Sequence, residues 1–209
     1  MGETLTLYTN PMSRGRIARW MLEELGEPYE VELLGYGGSM KAEGYLAVNP
    51  LGKVPGLVHG ERVVTESAAI CAYLADTFPA AGLAPPPTDR ADYYRWLFFA
   101  AGPLEAALVN RALGVEVPNA KRGMVGYGEI GTLLDMLEEA CSRNLYLAGD
   151  AFSAADVSAG SQIGWGLQFG TMEKRPAFED YWARVSDREA YRRAKALDDK
   201  AMEEQSSQQ

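Results

Sequence analysis

Asn49-Pro50-Leu51-Gly52-Lys53-Val54-Pro55, followed eleven residues after the second proline by Glu66-Ser67, is the stretch on which the fold turns. A turn-rich loop ending on a proline just before an apolar run makes Pro55 a candidate cis proline at the entry to a strand. A cis bond there aims the Val54 backbone outward and offers its N–H and C=O to an extended peptide; an ordinary proline-rich loop is the alternative. Gly56-Leu57-Val58 and Arg62-Val63-Val64-Thr65 read as two short strands joined at His59-Gly60-Glu61, a hairpin signal that leaves His59, the sole histidine, exposed in the turn. Glu66 to Phe78 is helical in pattern, with Ala69, Ile70, Tyr73 and Leu74 on one face. At its start, Ser67 and its N–H suit a carboxylate and Glu66 suits an ammonium group, with plain capping as the alternative.

Upstream, Thr4-Leu5-Thr6-Leu7-Tyr8 alternates with the period of a strand. Asn10-Pro11-Met12 makes a turn, and Ser13 precedes a helical pattern carrying Ile17, Trp20, Met21 and Leu25 that stops at Gly26. Tyr29 to Leu33 reads as a second strand, so the unit is strand–helix–strand with the strands parallel. Glycines 35, 37 and 38 open a loop, and Met40 to Leu46 holds a short helix. A helix N-terminus at Ser13 favours negative charge. Lowering a thiol pKa from its ordinary value of about 8.5 is the task such a site can perform, with a serine hydroxyl donating to the thiolate. N-capping alone is the other use of Ser13.

Downstream, Ala80 to Asp89 contains three consecutive prolines and reads as a linker. Everything beyond it is helical: Asp89 to Leu113 with a kink at Gly102-Pro103, then 119–142, 153–166, 176–185 and 187–200. Gly123, Gly126, Gly128 and Gly131 weaken the second of these and suggest close packing or a mobile segment. Phe152-Ser153-Ala154-Ala155-Asp156-Val157 is a capping box in its aspartate variant, with Phe152 and Val157 as hydrophobic staple.

A net charge of −9 argues against a nucleic-acid partner. No apolar run is long enough to span a bilayer, and Met1-Gly2-Glu3-Thr4 does not open a secretory signal. Gly2 with Thr6 matches a myristoylation pattern only weakly and is read as chance. Cys71 and Cys141, far apart and inside helical stretches, form neither a disulfide framework nor a metal spacing, which fits a reducing compartment.

A thiol donor site, a backbone pairing site and an amino-acid head-group site in this order, with the capping box after Gly149-Asp150, resemble the cytosolic glutathione transferase superfamily over nearly the whole chain. The resemblance implies an α/β thioredoxin-like glutathione-binding domain over 1–80, a linker over 81–89, an all-α substrate-binding domain over 90–202 and a polar tail over 203–209. It implies glutathione as co-substrate and no metal. Val54, after a cis Pro55, pairs with the cysteinyl backbone, Glu66 and Ser67 hold the γ-glutamyl head, and Lys53, then Lys41, face the glycine carboxylate. The turn looks most like the plant-type serine enzymes, which makes Ser13 the activating residue, with Asn10 and Tyr8 as the other candidates. A second-substrate pocket between the domains, for a small hydrophobic electrophile, is expected from Tyr8, Met12, Tyr94, Phe98 and Trp165. A cytoplasmic, homodimeric, detoxifying enzyme is the further expectation. A non-catalytic binding protein and a glutathione-dependent thiol–disulfide reductase are the alternatives, the latter disfavoured because no cysteine stands in the turn.

Overall fold

The computed structural model describes residues 3–207; the Gly2 reading and the last two positions of the polar tail lie outside the described residues. The chain divides into two compact units, one running to Leu83 and resuming at Arg188, the other Ala84–Asp187.

In the first unit, β1 (Leu5–Thr9) and β2 (Tyr29–Leu33) pair in parallel, with α1 (Gly15–Leu25) as the crossover that a parallel pair requires. β3 (Gly56–His59) lies antiparallel to β1 on its other side, and β4 (Arg62–Thr65) returns beside β3, so the sheet order is β2-β1-β3-β4. Alternation in β1 buries Leu5, Leu7 and Thr9, and Leu7 stands opposite Leu57, so both point to one face. The buried stripe of α1, with Ile17, Trp20, Met21 and Leu22, packs against β1 and against α3 (Ser67–Thr77). On the other face Tyr8, Val48 and Val54 pack on Leu34, Met40 and Tyr45, the last carried by α2 (Glu43–Leu46). α1 ends where Gly26, at φ 77°, turns its N–H to Leu22 O.

Two expectations change here. His59 is only 7 % exposed. It closes β3, its Nδ1 lies 2.8 Å from the Tyr73 hydroxyl and its ring lies against Phe78, while the turn itself is made by Gly60 at φ 59°. The last helix, α9 (Glu189–Ser206), belongs with the first unit rather than with the helical one, and it absorbs most of the segment read as a polar tail. The reason is charge pairing onto α1: Arg188 grips Glu24 with two bonds of 2.7 Å, Arg193 meets Glu23 at 3.0 Å, and Arg19 meets Asp198 at 2.8 Å.

The second unit is helical: α4 (Ala91–Phe99), α5 (Glu105–Ala112), α6 (Ile130–Arg143), α7 (Ala154–Phe169) and α8 (Pro176–Ser186). The expected kink is a π-helical turn at Ala100–Leu104, which accommodates Pro103 without ending the helix. α7 is buried on nearly every side, as the centre of a bundle must be. Its Gly164 and Gly166 are needed for contact, since a Cβ on them would sit 2.5 Å from the Trp182 ring and 2.6 Å from Met172 Cβ. The capping box forms: Asp156 Oδ2 accepts from Ser153 N at 2.9 Å, while Oδ1 accepts from Leu147 N and from the Tyr181 hydroxyl, each at 2.8 Å. The helix expected over 119–142 is instead a 3₁₀ stretch, Asn119–Met124, a break, and α6. Gly123, Gly126, Gly128 and Gly131 meet nothing within 4 Å where a Cβ would stand, so none serves close packing; the first three fall before α6, where the helix is broken, and Gly131 lies in its first turn.

Candidate active site

Strand register brings the separated segments together. Tyr8 stands opposite Gly56, and Gly56 opposite Thr65. The residues just beyond Tyr8, just before Gly56 and just after Thr65 therefore leave the sheet at the same end. These are the Asn10–Ser13 turn, the Lys53–Pro55 approach and Glu66–Ser67. Neighbouring strands lie about 4.8 Å apart, so the row they form spans about 10 Å, the length of an extended tripeptide.

The first segment is a turn closed on itself. Asn10 is 2 % exposed, and its amide is engaged at both ends: Nδ2 donates to Leu34 O at 2.7 Å, and Oδ1 accepts from Met12 N at 2.9 Å. Ser13 is half-buried. Its hydroxyl donates to Asn10 O at 2.7 Å and accepts from Gly15 N at 2.9 Å, so it caps the start of α1 although the helix proper begins two residues later. Met12 is 63 % exposed at the tip of the turn, with its carbonyl accepting from the Tyr36 hydroxyl at 3.0 Å. Tyr8 is half-buried beneath, its ring 5.4 Å from that of Tyr45.

The second segment is built by side chains that hold carbonyls. Lys53 O accepts from Asn49 Nδ2 at 2.8 Å and from the Tyr45 hydroxyl at 2.5 Å. Lys41 Nζ donates to Leu51 O at 3.0 Å and Gly52 O at 2.7 Å, so its ammonium is spent on the loop, whereas the Lys53 side chain is exposed. Gly52, at φ 56°, could not carry a Cβ, which would meet Met40 O at 2.9 Å. The Val54–Pro55 peptide is cis. Among the described residues Val54 makes no backbone–backbone hydrogen bond. In the third segment Glu66 has φ 71°, the one positive value off glycine among the described residues. Such a conformation costs about 1–3 kcal/mol and concentrates at binding sites. It places Glu66, exposed, beside the N-terminus of α3, whose first residue is Ser67.

The pocket candidates of the second unit divide. Tyr94 and Phe98 are exposed and stacked on each other along α4, centroids 6.3 Å apart, and Trp165 is half-buried in α7. Both cysteines are core residues, and burial pushes each thiol up to about 12, which leaves neither as a thiolate at neutral pH. Among the described residues no group of His, Cys, Asp and Glu is arranged to hold a metal ion, and no helix is long and apolar enough to cross a membrane. Sequence reasoning passed over Asn49 and Tyr36. An Asx-turn at Asn-Pro-x-Gly was a usable sign for the first; nothing local marks the second.

Comparison with known proteins bears on the same residues. The model described as "Glutathione S-transferase, N-terminal domain" matches residues 3–76, and "Glutathione S-transferase, C-terminal domain" matches 118–189. Glutathione S-transferase 3 of Zea mays is 30% identical over 208 residues, covering 92% of this chain and 93% of that protein. A glutathione transferase from Phanerochaete chrysosporium in complex with oxidized glutathione superposes with a TM-score of 0.77 at 28% identity, over 95% of this chain and 98% of that one. A theta class glutathione S-transferase from Xanthomonas axonopodis pv. citri with glutathione bound gives 0.74 at 28% identity, over 92% and 97%.

Proposed function

Because the chain belongs to the glutathione transferase family, and is thereby a glutathione transferase with glutathione as co-substrate, we propose that Ser13 is the residue that activates the thiol. The observation that carries this is the state of its hydroxyl. It already accepts from Gly15 N, which polarises it as a donor, and its single proton rests on Asn10 O. That carbonyl keeps a second partner, Ser13 N at 3.1 Å, so the hydroxyl can swing from Asn10 O to a sulfur without orphaning a buried acceptor. Asn10 has no such freedom, since moving its amide would strand Leu34 O and Met12 N.

In this reading Val54 pairs with the cysteinyl backbone of glutathione, Glu66 and Ser67 hold the γ-glutamyl head, and Lys53 faces the glycine carboxylate. Lys41 acts one step back, through the loop carbonyls it holds. The thiol loses its proton to water, and the thiolate, stabilised by Ser13 and the start of α1, forms a carbon–sulfur bond to a small hydrophobic electrophile as the leaving group departs. In the first unit the exposed Met12, with Tyr8 beneath it, is the apolar residue proposed to meet that electrophile; in the helical unit Tyr94, Phe98 and Trp165 are the candidates. A homodimer working in the cytoplasm, with detoxification as its role, completes the proposal.

Conjugation of an aromatic halide, followed by the absorbance of the product, tests the assignment. Ser13→Ala should lower kcat/KM by about 10²-fold, the usual effect of deleting one donor to a developing anion, and should raise the pKa of the bound thiol. Wild-type activity in a folded Ser13→Ala protein would sink it.

A further inference from the structure

The turn that carries Ser13 is held from outside by a residue with no part in the chemistry above. Arg16 Nε donates to Pro11 O at 2.5 Å, and Nη2 of the same guanidinium donates to Asp199 Oδ1 on α9 at 2.9 Å. We propose that Arg16, braced by Asp199, is a positioning residue for thiol activation: it fixes the Pro11 carbonyl and so the turn that presents the Ser13 hydroxyl. This rests on Ser13 as the activating residue.

The local chemistry makes Pro11 the joint that needs fixing. Its ring locks φ and it has no N–H, so the orientation left open is that of the peptide joining it to Met12. The N–H end of that peptide is held by Asn10 Oδ1 at 2.9 Å; its C=O end is held by Arg16. Arg16 touches the turn a second time, through its backbone N–H on Ser13 O at 3.2 Å. A guanidinium suits this because its donors are separate nitrogens fixed in one rigid plane, whereas an ammonium donates from a single atom at the end of a flexible stem.

The brace is equally well defined. Asp199 also binds Lys195. Hydrogen bonds from Lys195 and Arg16 outweigh its partial burial and hold its carboxyl below the ordinary range, so it is ionised at neutral pH. The neighbouring Asp198 takes Arg19 at 2.8 Å. Arg16 and Arg19 are three apart on α1 and share a face, so adjacent carboxylates of α9 hold both.

The test is titration of the thiolate absorbance of glutathione bound to the full chain, with the pH dependence of kcat and KM for an aromatic halide. Arg16→Gln should raise the bound thiol pKa by about one unit and lower kcat at slightly acidic pH about tenfold, while glutathione affinity changes less than about twofold. Arg16→Lys, which keeps the charge and loses the fork, should show the same shift. Asp199→Asn, which leaves the turn's own atoms intact, should show a smaller shift of the same sign, and it stands in if Arg16→Gln does not fold. Lys200→Gln, on α9 but directed at Glu204, should match the wild type. A wild-type thiol pKa in folded Arg16→Gln and Asp199→Asn, with Ser13→Ala shifted, overturns the positioning role alone. Recovery of the wild-type value in Arg16→Lys overturns it in favour of charge. An unshifted Ser13→Ala overturns the underlying assignment instead.

Discussion

Asn10 and Ser13 sit three positions apart and do opposite work. Asn10 ties its turn to Leu34, across the end of the sheet, whereas Ser13 has a proton it can redirect. Asn10→Ala should therefore lower stability by about 2–3 kcal/mol, through a buried donor and acceptor left without partners, as read by chemical denaturation. Ser13→Ala should cost about 1 kcal/mol or less, the worth of a partial cap, while losing far more activity. The opposite ordering of the two stabilities would contradict these roles. The sequence showed both residue types at a helix start and left the choice open, because the deciding partner, Leu34 O, is supplied by the strand pairing. His59 was misread for a related reason: its hairpin was legible, but the Tyr73 hydroxyl that draws the ring inward comes from a helix packed on the sheet.

Elements were legible where periodicity was strong. The strands, α1, α3 and α7 fall close to their expected bounds, since alternation and a 3.6-residue stripe are local properties. The break before α6 was not, because helical pattern and glycine propensity compete there. α7 supplies the sharpest prediction at this scale. Gly164→Ala would push a methyl group into the Trp182 ring, and overpacking of that kind costs about 1–3 kcal/mol. Gly131→Ala, with open space around it, should stabilise α6 by up to about 1 kcal/mol. Thermal unfolding of the two variants should move in opposite directions; a shared direction would refute the packing account.

At the scale of the molecule, the first unit is discontinuous in sequence, and the buried Arg19–Asp198 pair is central to how its two pieces join. Burial pushes the Asp198 carboxyl up to about 6 in spite of Arg19, and its Oδ2 has no partner among the described residues. A carboxyl whose folded pKa lies above its unfolded value binds its proton more tightly in the native state. Its contribution is therefore fully present below about pH 4, the ordinary aspartate range, and is lost as pH rises through about 6. Asp198→Asn should flatten the stability profile across that window; an unchanged slope in urea unfolding would show that other groups set it. This coupling was invisible in the sequence, where α9 reads as one more helix of the domain preceding it. The same discontinuity bears on how the protein is made. Domains fold as units while the ribosome extends the chain, yet here every residue of the helical unit is synthesised between the Asn10–Ser13 turn and the α9 carboxylates that pair with α1. A nascent chain thus emerges with the proposed catalytic end of its first unit unfinished. Premature termination before Glu189 should yield a product that is inactive and open to proteolysis at α1, as limited digestion would read.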